Sequence, residues 1–157
     1  MAQPAPGHPV TSYALCTDPH SRLLIVKATG QETWYLPGGT VEAGESPLDA
    51  VRRETREELG LALDIQPDDL FGVEWAQARQ PEARDRLVFL WAGPMLSTAD
   101  TDRISLQARE LSAWRWATPE EAAKLLHPAV ARRIRAPLQL PGRVTYQETR
   151  QQRTDRS

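Results

Sequence analysis

The sequence is short of several things, and each shortage narrows the reading. It has one cysteine, Cys16, so it forms neither an internal disulfide nor a Cys-based zinc site. Cys16 reads as a small buried residue of a protein kept in a reducing compartment. Three histidines, His8, His20 and His127, are scattered beside prolines or in turns, and none is given a function. No run approaches the roughly 18 consecutive apolar residues that span a bilayer. Net charge is small: 19 Lys and Arg against 21 Asp and Glu leave −2, too little for a polyanion-binding surface from bulk charge. Met1 to Pro9 has no basic start and no apolar run, so it is not a secretory signal and is expected to be a flexible leader. The expectation is a cytoplasmic protein without a membrane partner.

What is present suits one globular domain. The chain has 157 residues, 40% hydrophobic and 25% charged, with no internal repeat. That domain is expected over 10–140. Residues 132–157 carry seven arginines against Glu148 and Asp155. Gln147 to Ser157 has nothing apolar to bury, so 141–157 is expected to be a basic, disordered tail.

Alternating or compact apolar runs predict strands at Val10 to Thr17, Leu23 to Lys27, Phe71–Ala78, Leu87–Ala92 and around Trp114-Arg115-Trp116. Trp34-Tyr35-Leu36 is a short strand stopped by Pro37-Gly38-Gly39. Pro94 to Gln107 reads as a long polar loop. A helix is predicted over 46–59, with Ser46 as N-cap, Pro47 at N1, a stripe of Leu48, Val51, Thr55 and Leu59, and Gly60 as its stop. Thr118-Pro119-Glu120-Glu121 opens a second helix running to about Leu126. A third, shorter one is expected over Ala129 to Arg135. Strands mixed with helices point to an α/β or α+β sandwich.

On the first helix Glu54, Glu57 and Glu58 stand at i, i+3 and i+4, within an arc of about 100°. Three carboxylates this close repel, and some would take up protons if left alone. A hard divalent cation removes that cost, and Mg²⁺ favours oxygen ligands. The same spacing also suits a solvated acidic face paired with Arg52, Arg53 and Arg56.

The wider pattern favours the metal. Gly39, five residues, Glu45 and seven residues lead into Arg53-Glu54-Thr55-Arg56-Glu57-Glu58-Leu59-Gly60-Leu61. This closely resembles the signature of the Nudix hydrolase family, and Leu36-Pro37-Gly38-Gly39 ahead of it is similar too. One position departs: Thr55 stands where the family usually has a bulkier aliphatic residue. It lies on the core stripe, so the departure bears on packing more than on metal.

The resemblance implies a Nudix-type α/β/α sandwich with a mixed sheet. It implies hydrolysis of a nucleoside diphosphate linked to another group, with Mg²⁺ or Mn²⁺. Carried over by position, Glu54, Glu57 and Glu58 are metal ligands, with the Gly38 carbonyl as a further one. Glu110, just before Leu111-Ser112-Ala113-Trp114, is the candidate acid from outside the helix. Glu54 and Glu57 are the leading bases, with Arg53 beside them. Glu45 and Arg53 tie the loop to the helix, and Gly39 shapes that loop.

Substrate contacts are expected from Tyr35, by stacking, and from Arg86; Arg79, Arg84 and Arg86 flank a loop whose two readings are a phosphate clamp and a solvated hairpin tip with Glu82 and Asp85. Two other readings stand beside the pyrophosphohydrolase: a nucleotide-sensing module without turnover, and an RNA-directed, decapping-type hydrolase using the basic tail. A homodimer is compatible with the resemblance.

Overall fold

The computed structural model describes residues 7–151. Most of the expected leader, and the end of the expected tail, lie outside the described residues. Eight strands form two sheets. One is five-stranded and mixed, in the order β4 (Gly38–Thr40), β1 (Val10–Leu15), β6 (Arg86–Ala92), β5 (Leu70–Ala76), β8 (Thr145–Thr149). In it β1 and β6 run parallel, as do β5 and β8, while β1–β4 and β5–β6 are antiparallel. The other is antiparallel: β3 (Trp34–Tyr35), β2 (Leu23–Ala28), β7 (Leu111–Ala117).

The compact run in β2 is apolar at successive positions because both of its faces are covered. Leu24 and Val26 enter one core, Leu23 and Ile25 another. β6 divides likewise, with Trp91 on the first side and Val88 and Leu90 on the second. The first core is closed by Val51 and Leu59 of α1 (Pro47–Leu59). The second is closed by Ala122 of α3 (Pro119–Leu125) and by Val130 and Ile134 of α4 (Pro128–Gln139). Helices on both sides of the sheets make the expected α/β/α sandwich. Cys16 lies in the first core with no exposure, and burial pushes its thiol up to about 12, so it is inert.

α1 begins and ends where its sequence says. The Ser46 hydroxyl accepts from Asp49 N–H, and the Asp49 carboxylate accepts from Ser46 N–H. Gly60 stops the helix at φ 70°, a left-handed conformation that costs glycine nothing. Ser12 of β1 fixes the helix to the sheet: its hydroxyl donates to Pro47 O (2.6 Å) and accepts from Trp91 Nε1 (2.8 Å). Thr55, the unusual residue of the box, is fully buried. Its hydroxyl donates to Val51 O at 2.8 Å, so the polar atom is satisfied inside the helix.

Four expectations are corrected. Gly38–Thr40 is an edge strand, not only a stop, because Gly38 lets the backbone press to within a Cβ's reach of Ser12 O. The segment 94–107 is not a plain polar loop. Leu96 is buried, Ile104 and Leu106 pack on the first core, and a short helix, α2 (Thr98–Thr101), interrupts it. Helix α4 runs four residues beyond Arg135, through Pro137. Proline has no N–H for the carbonyl four residues back, that of Arg133, and the Gln147 side chain donates to it instead at 2.8 Å.

That contact belongs to the fourth correction. The start of the expected disordered tail is strand β8, in register with β5 from Gly72↔Thr145 to Ala76↔Thr149. Its partner is backbone, which composition does not report.

Candidate active site

Two elements bring three acids to one place. Glu54 and Glu58 project from successive turns of α1. Glu110 arrives from the segment before β7, and that segment is moored to the end of α1. Ser105 N–H donates to Leu59 O (2.9 Å) and Gln107 N–H to Glu58 O (3.3 Å), filling carbonyls that the helix itself leaves open. Gln107 O then accepts from the N–H groups of Glu110 and Leu111, and Glu110 O accepts from Thr29 N–H. In the result, one carboxylate oxygen each from Glu54, Glu58 and Glu110 lies within 4.8 Å of the others.

Glu57, expected among them, does not join this group. At i+3 from Glu54 it lies further round the helix, its side chain about half exposed, and its carboxylate accepts from Arg53 Nη1 at 3.1 Å. The structure therefore brings together two of the three box acids and the downstream acid.

The cluster is electrostatically loaded. Glu58 is 8% exposed. Burial, followed by the charges of Glu54, Glu110 and Glu57, pushes its carboxyl up to about 8, against the pull of the Gly38 N–H that donates to it at 3.0 Å. Burial also raises Glu54, although Arg53 Nη1 donates to it at 3.0 Å.

Arg53 organises the rest. Its Nε and Nη2 grip Glu45 in a two-pronged pair at 3.0 and 2.7 Å, and Nη2 also reaches Thr40 O at 3.1 Å. Through that pair the guanidinium holds the Glu45 carboxyl below its ordinary range. Loop, glycine strand and helix acids are thus joined through one guanidinium, as expected for Glu45 and Arg53.

The two glycines have separate tasks. Ala14 N–H donates to Pro37 O and Val41 N–H to Val10 O, so the intervening Gly38 turns its N–H away from β1 and towards Glu58. A Cβ on Gly39 would stand 2.5 Å from Glu54 Oε1. Gly39→Ala should therefore displace Glu54 while leaving the distant cores intact. Divalent-ion affinity is expected to fall about 10- to 100-fold with the melting temperature little changed, as read by calorimetry and circular dichroism.

Tyr35 and Arg86 do not touch the acids. They line a cleft of about 460 Å³ on the side of the sheet facing α4, together with Arg79, Arg84 and Arg133. Tyr35 stacks on His127, centroids 5.6 Å apart. Arg133 and His127 were not singled out by sequence reasoning. The available signal was Glu74, a lone acid within an otherwise apolar strand, which pairs with Arg133.

An all-oxygen donor set, with Glu58 buried, Glu54 partly buried and both raised in affinity for protons, fits a hard divalent cation. The NUDIX domain model matches residues 7–138.

The chain belongs to the Nudix hydrolase family.

It is a hydrolase acting on phosphoric anhydrides. It is 30% identical over 139 residues to a MutT-like protein of Streptomyces ambofaciens, covering 85% of this chain and 82% of that one. It is 34% identical over 111 residues to the human (Homo sapiens) 8-oxo-dGDP phosphatase NUDT18, covering 67% of this chain but 32% of that longer protein. A crystal structure of UDP-X diphosphatase superposes with a TM-score of 0.70 at 18% identity, over 92% of this chain and 69% of that one, a likeness of fold. No described helix of this Nudix protein is long and apolar enough to cross a membrane.

Proposed function

We propose that the chain is a metal-dependent pyrophosphohydrolase that cleaves the diphosphate linkage of a nucleotide, a nucleoside diphosphate linked to a further group, by attack of water. The observation that carries this reading is the convergence of Glu54, Glu58 and Glu110 from two distant segments into a half-buried acidic cluster. Burying like charges together is costly, and a binding module without turnover gains nothing from it.

Glu54, Glu58 and Glu110 would hold Mg²⁺ or Mn²⁺, with the Gly38 carbonyl as a further donor. When bound, the ion neutralises the charge of the diphosphate. The remaining steps belong to the chain. Arg53 orients Glu54 and Glu57 through its Nη1. One of these two carboxylates is assigned as the acceptor of the proton from the attacking water. Water adds to one phosphorus in line with the bridging oxygen, that P–O bond breaks, and its electron pair leaves with the departing phosphate. Tyr35 and Arg86 hold the substrate in the cleft. We assign a small-molecule nucleotide as substrate.

Removal of divalent ions tests the reading. Dialysis against chelator should abolish phosphate or nucleotide release from a panel of nucleoside triphosphates, oxidised deoxynucleotides, ADP-ribose, NADH, dinucleoside polyphosphates and nucleotide sugars. Mg²⁺ or Mn²⁺ should restore it with at least one of them. Turnover that survives chelation would contradict the assignment.

A further inference from the structure

On the α4 side of the sheet lies a second polar system, which the acids do not use. Glu74 of β5 is 1% exposed. Its carboxylate accepts from Arg133 Nε and from the Thr149 hydroxyl of β8, the latter at 2.6 Å. β8 also supplies Gln147 to the Arg133 carbonyl. The C-terminal strand therefore grips Arg133 at its backbone and at the carboxylate that fixes its guanidinium. Among the described residues only Nε has a hydrogen-bond partner, which leaves both terminal nitrogens for the cleft that Arg133 lines.

That cleft has an unusual balance. Arg79, Arg84, Arg86 and Arg133 line it, and no carboxylate does among the described residues. Arg84 already donates to Gly7 O, and Glu74 lies beneath, matched by Arg133. At the floor, the hydroxyl of Thr11 is buried and meets no partner among the described residues. A buried hydroxyl left unpaired is costly, and a polar group entering the cleft would relieve it. Planar guanidinium groups match phosphate oxygens two at a time.

The cleft also lies near the acids. Tyr13 lines it and pairs with Gly38, whose N–H holds Glu58.

We propose that this cleft is a subsite for an additional phosphate of the substrate, one outside the cleaved linkage, with Arg133 as its principal contact and Glu74 and β8 as positioning elements. The placement of the cleaved linkage rests on the pyrophosphohydrolase reading. The additional phosphate belongs either to the end of a polyphosphate chain or to the ribose.

The test uses the full chain. Inorganic phosphate is titrated without divalent ions and followed by NMR. Saturable binding is expected in the wild type and in Glu58→Gln, and binding about tenfold or more weaker in Arg133→Gln and Thr11→Val. In a second arm, KM is compared for a nucleoside triphosphate against its terminal methyl ester, and for NADPH against NADH. The pair in which the phosphate lowers KM identifies its source. Arg133→Gln should erase that preference, about tenfold.

The proposal is overturned if the wild type neither binds phosphate saturably nor prefers the free triphosphate to its methyl ester or NADPH to NADH. It is equally overturned if a folded Arg133→Gln protein keeps both properties. Should that variant fail to fold, Thr11→Val decides, since loss of an unpaired hydroxyl leaves the fold at least as stable. If Glu58→Gln retains turnover, the metal assignment falls while the phosphate titration still judges the subsite.

Discussion

Replacing Glu58 with glutamine is expected to cut metal-dependent turnover by about a thousandfold or more, the rate equivalent of the several kcal/mol a metal ion supplies to such a transition state. Glu58 is the most buried of the three acids, and its oxygen is fixed by Gly38 N–H. Glutamine keeps the size and an oxygen for that bond but loses the charge. Stability should not suffer. In the metal-free protein Glu58 is pushed up to about 8, whereas an unfolded glutamate titrates in the ordinary carboxylate range. The folded state then binds the extra proton, so stability falls as pH rises from that ordinary range to about 8. Glu58→Gln removes this slope and should melt at or above the wild type at pH 7. A variant with lost activity and a lowered melting temperature would indicate damage to the fold instead.

The second large effect is on stability. Glu74→Ala should destabilise the protein by about 3–5 kcal/mol, the usual cost of leaving one partner of a buried ion pair behind. Arg133, with a side chain 11% exposed, would lose its counter-charge, and Thr149 would lose its acceptor. The loss should concentrate at β8 and the end of α4, because Gln147 and Thr149 reach that pair from the strand. Urea unfolding gives the magnitude, and amide hydrogen exchange should show protection lost first at 145–149. Unchanged stability would mean that β8 is held by backbone pairing alone.

The site was legible where chemistry is local. The box acids, the capping of α1 and the Glu45–Arg53 link all lie within the 16 residues from Glu45 to Gly60, and helical periodicity carries them to one region. Glu110 was legible as a candidate only by its place before a strand. What delivers it is a pair of main-chain bonds from Ser105 and Gln107 to the end of α1, which side-chain patterns do not encode.

Glu57 illustrates the limit of spacing arguments. A 100° arc permits convergence, but Arg53 draws Glu57 along the exposed side while Glu54 and Glu58 turn towards the glycine strand. Strand β8 was hidden for a different reason. Its residues are polar, and its order comes from the open edge of β5 and from Glu74 beneath it, 75 residues from Thr149. The segment 94–107 misled because Leu96, Ile104 and Leu106 stand sparsely among polar residues, yet the first core receives all three.

The most direct measurement is Mn²⁺ uptake followed by electron paramagnetic resonance, with the wild type, Glu58→Gln and Glu110→Gln compared in the presence of a non-hydrolysable nucleotide. The account predicts bound Mn²⁺ in the wild type and affinity reduced about tenfold or more in both variants. Equal uptake by all three proteins, or none by the wild type, would contradict it.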